Sequence, residues 1–260
     1  MTFRQLGRSG LRVSTVGLGC NNLGARIDEA QSMDVVRAAL DSGIPLFDTA
    51  DVYGDGRSEE LLGRALAGRR DQAVIATKFG LPMPGKPTQV ARGSRSYVHR
   101  AVRESLRRLG TDWIDLYQLH VPDPCTPIGE TLAALDDLVR DGLVRYVGCS
   151  QLAPWQVVDA SWEARANGLS AFVSNQSEYS VLNRSVEEEM VPACAAHGVG
   201  LLPFYPLANG LLSGKFRFDR PLSHGTRLGD EPERAARVAT EQAMRAVEAL
   251  RAVTEGAAIP

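Results

Sequence analysis

The chain has 260 residues, of which 44% are hydrophobic, and its formal net charge is −2. A charge so close to neutral gives no indication of a nucleic-acid or anionic-membrane partner, and the N-terminal segment shows no signal peptide. The length fits one α/β barrel domain covering residues 1–260. The sequence does not determine the oligomeric state, and a monomer is slightly favoured.

Strand-like and helix-like segments alternate along the chain. The opening FRQLGRSGLRVS is typical of a β-hairpin that turns between Gly7 and Gly10. Seven further strands are predicted in the segments VSTVGLG, IPLFDT, AVIATK, WIDLYQLH, VRYVGCS, AFVSNQ and VGLLPFY. Each is followed by a helical pattern or a long loop, and repeated βα units predict a parallel sheet covered by helices.

Apolar residues spaced three or four apart predict the helices between these strands. The expected signals are an N-cap at Asp28, an N-cap at Ser58, a helix from about Ser96 to Gly110, a start after Pro127, Pro154 in a first turn, a helix over 185–197 and a last helix over 232–255. A closed barrel needs eight strands, and no eighth strand-like run precedes Pro260.

Two glycine-rich segments resemble nucleotide-binding motifs but have the wrong spacing. GLGCNNLG, from Gly17 to Gly24, has four residues where a dinucleotide fingerprint has two. Its small residues, Gly19 among them, would still let a flat ring approach the backbone. GLLSGKF, from Gly210 to Phe216, lacks the hydroxyl residue of a phosphate loop. Its glycines and Lys215 could nevertheless hold a pyrophosphate.

Asp48, Lys78 and His120 end three successive predicted strands, and Tyr53 follows Asp48 by five residues. Each has an ordinary structural explanation, such as a turn cap or a structural ion pair. Together they are expected to meet, because the carboxyl ends of neighbouring parallel strands share one edge of the sheet. Lys78 would favour the phenolate of Tyr53, Asp48 would orient Lys78, and His120 would donate to a carbonyl oxygen.

The remaining chemistry-bearing residues give weaker signals. No second ligand joins His120 at metal-ligand spacing, so no metal site is predicted. The cysteines lie far apart without a paired motif, which predicts reduced thiols in a cytoplasmic protein. They are Cys20, Cys125, Cys149 and Cys194.

Seven segments occur in an order that resembles the aldo-keto reductase family: FRQLGRSGLRVSTVGLGCNNLG, FDTADVYGDGRSEELLGRAL, VIATKFG, IDLYQLHVPD, VRYVGCS, NQSEYSVLNR and PFYPLANGLLSGKF. The resemblance implies a (β/α)8 TIM-type barrel whose bottom is covered by the hairpin. It also implies NADPH-dependent reduction of an aldehyde or ketone, with Tyr53 as general acid. Asp48 and Lys78 would tune that acid, and His120 would orient the carbonyl.

The resemblance further implies which residues hold the cofactor. Ser150 and Gln176 would bind the nicotinamide carboxamide, and Phe204 would stack on the ring. Gln151 stands where the family usually has asparagine. The wider implied set comprises Gly19, Ser150, Gln151, Gln176, Phe204, Tyr205, Pro206, Leu207, Ala208, Asn209, Gly210 and Lys215.

The end of the chain departs from the family pattern. Family members normally continue with an eighth strand and a helix that recognises the 2′-phosphate of NADP, whereas this sequence stops at Pro260. We therefore expect a C-terminally incomplete barrel in which cofactor affinity and the preference for NADP over NAD are both impaired relative to the family. The substrate is expected to be a small carbonyl compound. The alternative is a cofactor-binding regulatory or scaffold relative, or an inactive truncated form.

Overall fold

The computed structural model describes residues 1–83, 85, 90–217 and 220–256. The strands are β1 (Phe3–Gln5), β2 (Arg12–Ser14), β3 (Leu18–Gly19), β4 (Leu46–Asp48), β5 (Val74–Phe79), β6 (Ile114–Leu119), β7 (Val144–Ser150), β8 (Ser174–Glu178) and β9 (Gly200–Phe204). The helices are α1 (Glu29–Asp41), α2 (Arg57–Ala65), α3 (Arg95–Leu109), α4 (Ile128–Arg140), α5 (Pro154–Ala166), α6 (Met190–His197), α7 (Arg227–Asp230), α8 (Pro232–Val238) and α9 (Glu241–Gly256).

The main sheet has seven strands in the order β3-β4-β5-β6-β7-β8-β9, and the paired strands from β3 to β8 run parallel. This confirms the predicted α/β fold, which is consistent with a TIM-type barrel. Parallel strands that are covered by helices are buried on both faces, and every residue of β6 is buried. In the register, Lys78 of β5 lies beside Gln118 of β6. Ser150 of β7 lies beside Gln176 of β8.

The N-terminal hairpin of β1 and β2 packs against the amino ends of the barrel strands, as predicted. Its buried side chains Leu6 and Leu11 join a core cluster with Leu46 of β4 and Leu116 of β6. Gly7 lies in the turn with φ of 58°. A Cβ there would come within 2.5 Å of the carbonyl oxygen of Gly198, so only glycine fits this close approach of two backbones.

Several predicted helix ends are confirmed. Asp28 caps α1 in a reciprocal arrangement: Gln31 N–H donates to Asp28 Oδ1 at 2.9 Å, and Asp28 N–H donates to Gln31 Oε1 at 3.1 Å. Gly110 ends α3 in a left-handed conformation. Pro154 occupies the first turn of α5, where its missing N–H costs nothing.

Ser58 is not the N-cap of α2, because the helix begins at Arg57 after a left-handed Gly56. A 3-10 turn, Tyr53–Gly56, leads directly into the helix. Ser58 is instead fully buried and donates its hydroxyl to the carbonyl oxygen of Cys20 at 2.8 Å.

Two predicted helices are divided in the structure. The helix expected over 185–197 begins only at Met190, which places Pro192 in its first turn, where proline is tolerated. The helix expected over 232–255 ends at Val238 and restarts at Glu241. Thr240 accounts for the restart, since its hydroxyl accepts a hydrogen bond from Ala243 N–H at 3.2 Å.

The described chain divides into two compact units. The first comprises residues 1–176 and 190–202 and contains most of the sheet. The second comprises residues 177–189 and the described residues from 203 onward. The second unit has its own apolar cluster, formed by Ala208, Leu211, Phe216, Leu228, Met244 and Val247. The predicted single domain stays a prediction, and the last residues before Pro260 lie outside the described part of the chain.

All four cysteines are free thiols, as predicted, and only Cys125 is exposed. Among the described residues, no helix is both long and apolar enough to cross a membrane. Within the same residues, no group of three or more histidine, cysteine or acidic side chains could hold a metal ion.

Candidate active site

Lys78 and Asp48 form an ion pair at the carboxyl ends of β5 and β4. The side chain of Lys78 is fully buried, and its Nζ lies 2.7 Å from Asp48 Oδ2. It also donates to the carbonyl oxygen of Thr49 at 2.9 Å. Burial alone would lower the pKa of Lys78, but the charges of Asp48 and Tyr53 outweigh it and raise that pKa. The direction of this shift favours the charged form of Lys78 at physiological pH.

Tyr53 completes the contact that the sequence predicts. Its hydroxyl lies 3.4 Å from Lys78 Nζ, and that nitrogen is 5.0 Å from the centroid of the ring. The tight turn after β4 brings it there: Gly54 and Asp55 are left-handed, with φ near 57°. The turn is fixed to the neighbouring strand because Asp51 N–H donates to the carbonyl oxygen of Lys78 at 3.0 Å.

His120 lies beside Tyr53 with its ring edge-on. The ring centroids are 5.9 Å apart and the planes meet at 82°. The imidazole is buried, and among the described residues its Nδ1 has no hydrogen-bond partner. Burial, together with the charge of Lys78, lowers the pKa of His120 to about 3. His120 is therefore neutral at physiological pH and can donate one hydrogen bond without carrying a charge.

Two carboxamides hold the second oxygen of Asp48. Gln176 Nε2 donates to Asp48 Oδ1 at 3.0 Å, and Gln118 Nε2 approaches the same oxygen at 3.4 Å. Sequence reasoning missed Gln118. Its position two residues before His120 could have predicted it, because alternate residues of a strand face the same side of the sheet.

A second cluster that the sequence did not predict lies behind β5. Glu59 is fully buried and binds Arg108 Nε at 2.6 Å, while Thr77, the residue before Lys78, donates its hydroxyl to Glu59 at 2.6 Å. Nearby Asp51 is 1% exposed, and among the described residues its Oδ1 has no partner. Burial, followed by repulsion from Glu59, raises the pKa of Asp51 to about 7.

Asp51→Asn is expected to stabilise the protein more at pH 8 than at pH 5. Because the folded state holds the Asp51 proton more tightly than the unfolded chain, stability falls as the pH rises from about 4 to about 7 and is unchanged by this group above that. A pKa raised from 3.8 to about 7 corresponds to a cost of about 4 kcal/mol at most. Urea unfolding of the variant and the unaltered protein at pH 5 and at pH 8 measures the gain in unfolding free energy.

The difference between Asp51→Asn and the unaltered protein isolates this effect. His120 produces a slope of the opposite sign, since its lowered pKa makes stability rise with pH up to about 6.5. That slope is common to both proteins and cancels in the comparison. An equal gain at pH 5 and pH 8 would show that Asp51 ionises normally in the folded state.

Four of the predicted cofactor residues belong to the first unit. Gly19 is the last residue of β3. The space beside it is empty, since a Cβ there would meet no atom within 4 Å. Ser150 donates its hydroxyl to the carbonyl oxygen of Gln176 at 3.0 Å. Gln151 has φ of 58° and donates Nε2 to the carbonyl oxygen of His120 at 3.3 Å. Asparagine adopts this left-handed backbone more readily than glutamine, so Gln151 carries some strain here.

The other eight predicted cofactor residues belong to the second unit. The rings of Phe204 and Tyr205 meet edge-on, with centroids 5.1 Å apart. Left-handed backbone recurs in the following turn, and the Oδ1 of Asn209 is buried without a partner among the described residues. Lys215 is exposed. The set is Phe204, Tyr205, Pro206, Leu207, Ala208, Asn209, Gly210 and Lys215.

Comparison with known proteins gives a consistent result. A model of the aldo/keto reductase family matches residues 15–259. Over 83% of its length the chain is 40% identical to an uncharacterized oxidoreductase of Bacillus subtilis, YrpG, covering 69% of that protein. It is 40% identical to probable aldo-keto reductase 1 of Glycine max over 81% of this chain and 61% of that protein. It is also 36% identical to versiconal hemiacetal acetate reductase of Aspergillus parasiticus over 88% of this chain and 74% of that protein.

Proposed function

The chain belongs to the aldo/keto reductase family, and we propose that it is an oxidoreductase that reduces an aldehyde or ketone to an alcohol with NADPH. One observation carries the proposal: Lys78 Nζ contacts both the carboxylate of Asp48 and the hydroxyl of Tyr53, with His120 alongside. The chain spans 61–74% of the length of the three relatives named above.

Each residue of this group has a role that its geometry supports. Tyr53 gives its proton to the substrate oxygen as the carbonyl becomes an alcohol, and the ammonium of Lys78 stabilises the phenolate that remains. Asp48 keeps Lys78 oriented and charged. Neutral His120 donates a hydrogen bond to the same oxygen and fixes the angle of the carbonyl. The nicotinamide cofactor supplies the hydride.

Ser150, Gln151 and Gln176 are proposed to hold the nicotinamide carboxamide. The two glutamines offer amide donors and acceptors close to Asp48 and His120. Gly19 leaves open space that a flat ring can enter. In the second unit, Phe204 offers a face for stacking, and Lys215 a charge for a pyrophosphate. Asn209 supplies an unsatisfied buried acceptor.

Several finer points rest on the family likeness or on the sequence pattern and not on the geometry of the site. We propose NADPH rather than NADH as the cofactor, a small carbonyl compound as the substrate and a monomeric cytoplasmic enzyme. The family likeness also assigns part of the substrate specificity to the region over residues 81–96, in which residues 84 and 86–89 lie outside the described part of the chain. One named relative is a hemiacetal acetate reductase, and a compound of that chemical class is one candidate substrate for this chain.

The proposal is tested by following the oxidation of NADPH, as loss of absorbance at 340 nm, with 4-nitrobenzaldehyde or 9,10-phenanthrenequinone as the carbonyl substrate. Turnover that depends on protein and carbonyl compound together supports it. A cooperative melt, tight NADPH binding and no turnover with either substrate would favour the scaffold alternative. NADH run in parallel measures the discrimination between the two cofactors, which is expected to be weaker than in the family. A higher rate with NADH than with NADPH would contradict the proposed cofactor.

A further inference from the structure

We propose that Gln118 is a positioning residue for Tyr53: its carboxamide holds one oxygen of Asp48, so that the other stays on Lys78 and the ammonium remains directed at the phenol. The inference rests on the proposed function, in which Tyr53 is the general acid. Gln118 does not contact the substrate in this proposal and acts only through Asp48.

The two oxygens of Asp48 have separate partners. Oδ2 lies 2.7 Å from Lys78 Nζ, whereas Oδ1 receives the amides of Gln176 at 3.0 Å and Gln118 at 3.4 Å. A carboxylate held at both oxygens cannot turn to bind the ammonium with both of them. The donated amide hydrogens also offset part of its negative charge, which would otherwise oppose ionisation of the nearby Tyr53.

The orientation of Gln118 follows from this contact. An ionised carboxylate only accepts hydrogen bonds, so the NH2 end of the amide has to face Asp48. Its Oε1 is then buried without a hydrogen-bond partner among the described residues. A buried acceptor with no partner is costly. The fold tolerates that cost here, which indicates that the hydrogen bond from the NH2 group of Gln118 to Asp48 is the important interaction of this side chain.

The surroundings of Gln118 are shaped for its side chain. Gln118 is fully buried, and it lies beside Lys78 in the sheet register on one side and beside Gly148 on the other. A Cβ on Gly148 would come within 3.2 Å of Gln118 Cγ. A methionine at 118 would fill a similar volume without burying a polar amide, so a carboxamide at this depth needs a reason beyond filling space.

Gln176 cannot replace this function. It is proposed to bind the nicotinamide carboxamide, and each hydrogen bond it gives to the cofactor weakens its hold on Asp48. Gln118 lies deeper, with 0% of its surface exposed against 6% for Gln176. It is therefore the donor that stays on Asp48 throughout a reaction cycle.

The test compares Gln118→Met and Gln118→Glu with the unaltered protein. The pKa of Tyr53 is read by NMR of 13Cζ-labelled tyrosine, with Tyr53→Phe used for assignment, and the pH dependence of kcat is measured alongside. Gln118→Met is expected to raise the pKa of Tyr53 by about half a unit and to lower kcat by about fivefold, the equivalent of one hydrogen bond. Gln118→Glu is expected to raise it further, because a second carboxylate opposes the phenolate.

Ser174→Ala is the matched control. The hydroxyl of Ser174 is buried near Gly148 without a hydrogen-bond partner among the described residues, so the variant removes a polar atom from the same region but not from Asp48. It is expected to leave the pKa of Tyr53 unchanged. Gln118→Asn keeps an amide but shortens its reach, and is expected to behave like Gln118→Met. It replaces any variant that does not melt cooperatively.

An unchanged pKa of Tyr53 in Gln118→Met, with only a lowered melting temperature, would overturn the proposal and leave Gln118 a packing residue. Loss of NADPH affinity with an unchanged pH profile would overturn it too. The NMR titration needs no turnover. If the unaltered protein reduces no carbonyl compound, the proposed function fails, while a shifted Tyr53 resonance would still support the link from Gln118 through Asp48.

Discussion

Tyr53→Phe is expected to lower kcat by about 10²–10⁴-fold, the range that a positioned proton donor contributes. The phenylalanine ring preserves the packing against His120, so the loss falls on the proton and not on the shape of the site. The hydroxyl contacts Lys78 Nζ at 3.4 Å, and Lys78 keeps Asp48 as its partner when the hydroxyl is removed. Steady-state kinetics with a saturating carbonyl substrate measures the effect.

Cofactor binding is the control for this variant. NADPH affinity, measured by calorimetric titration, is expected to stay within a few-fold of the unaltered protein, because no predicted cofactor residue is changed. The melting temperature is expected to hold as well. Turnover within tenfold of the unaltered protein would remove Tyr53 from the acid role and reopen the assignment of the proton donor.

Arg108→Met is expected to cost about 3–5 kcal/mol of unfolding free energy, the usual effect of removing one partner of a buried ion pair. The side chain of Arg108 is 7% exposed and that of Glu59 is fully buried, at 2.6 Å. Methionine fills similar volume but leaves the carboxylate of Glu59 with a hydrogen bond from the Thr77 hydroxyl in place of an ion pair. Urea unfolding followed by circular dichroism gives the free energy.

Arg69→Met supplies the matched comparison. Arg69 pairs with Asp41 at 2.7 Å, but the carboxylate is 63% exposed, so the expected cost is below about 1 kcal/mol. The double variant Arg108→Met with Glu59→Gln should recover part of the loss, because the unpaired charge is then absent. If Arg108→Met and Arg69→Met cost the same, the buried cluster contributes no more than a surface pair.

The sequence was sufficient for the part of the site that lies at strand ends. Asp48, Lys78 and His120 follow apolar runs, and the parallel sheet brings the ends of such runs together whatever the intervening residues are. Tyr53 was found because it closes the same turn. The hairpin itself was readable from its alternating segments, whereas its position against the strand starts came from the family likeness.

The unpredicted parts depend on contacts between distant residues with no local signal. Arg108 and Glu59 are 49 positions apart, and each alone is an ordinary charged residue on a helix. Gln118 contacts Asp48 across 70 positions. The division at Thr240 was missed because the apolar spacing continues through it, and only the hydroxyl that caps α9 distinguishes the break.

The enclosed turn at Gly7 also sets an order of events during synthesis. Its neighbours are the backbones of Val173, Gly198 and Gly200, and Arg8 N–H donates to the carbonyl oxygen of Gly198 at 2.7 Å. Gly7 and Arg8 leave the ribosome among the first residues, but they cannot form these contacts until Gly198 and Gly200 are translated, nearly two hundred codons later. Until then Leu6 and Leu11 can pack only against the part of their cluster that is already translated, such as Leu46 and Leu116, while Val173 and Leu202 are still missing. The nascent chain therefore has to shield the incomplete cluster by other means.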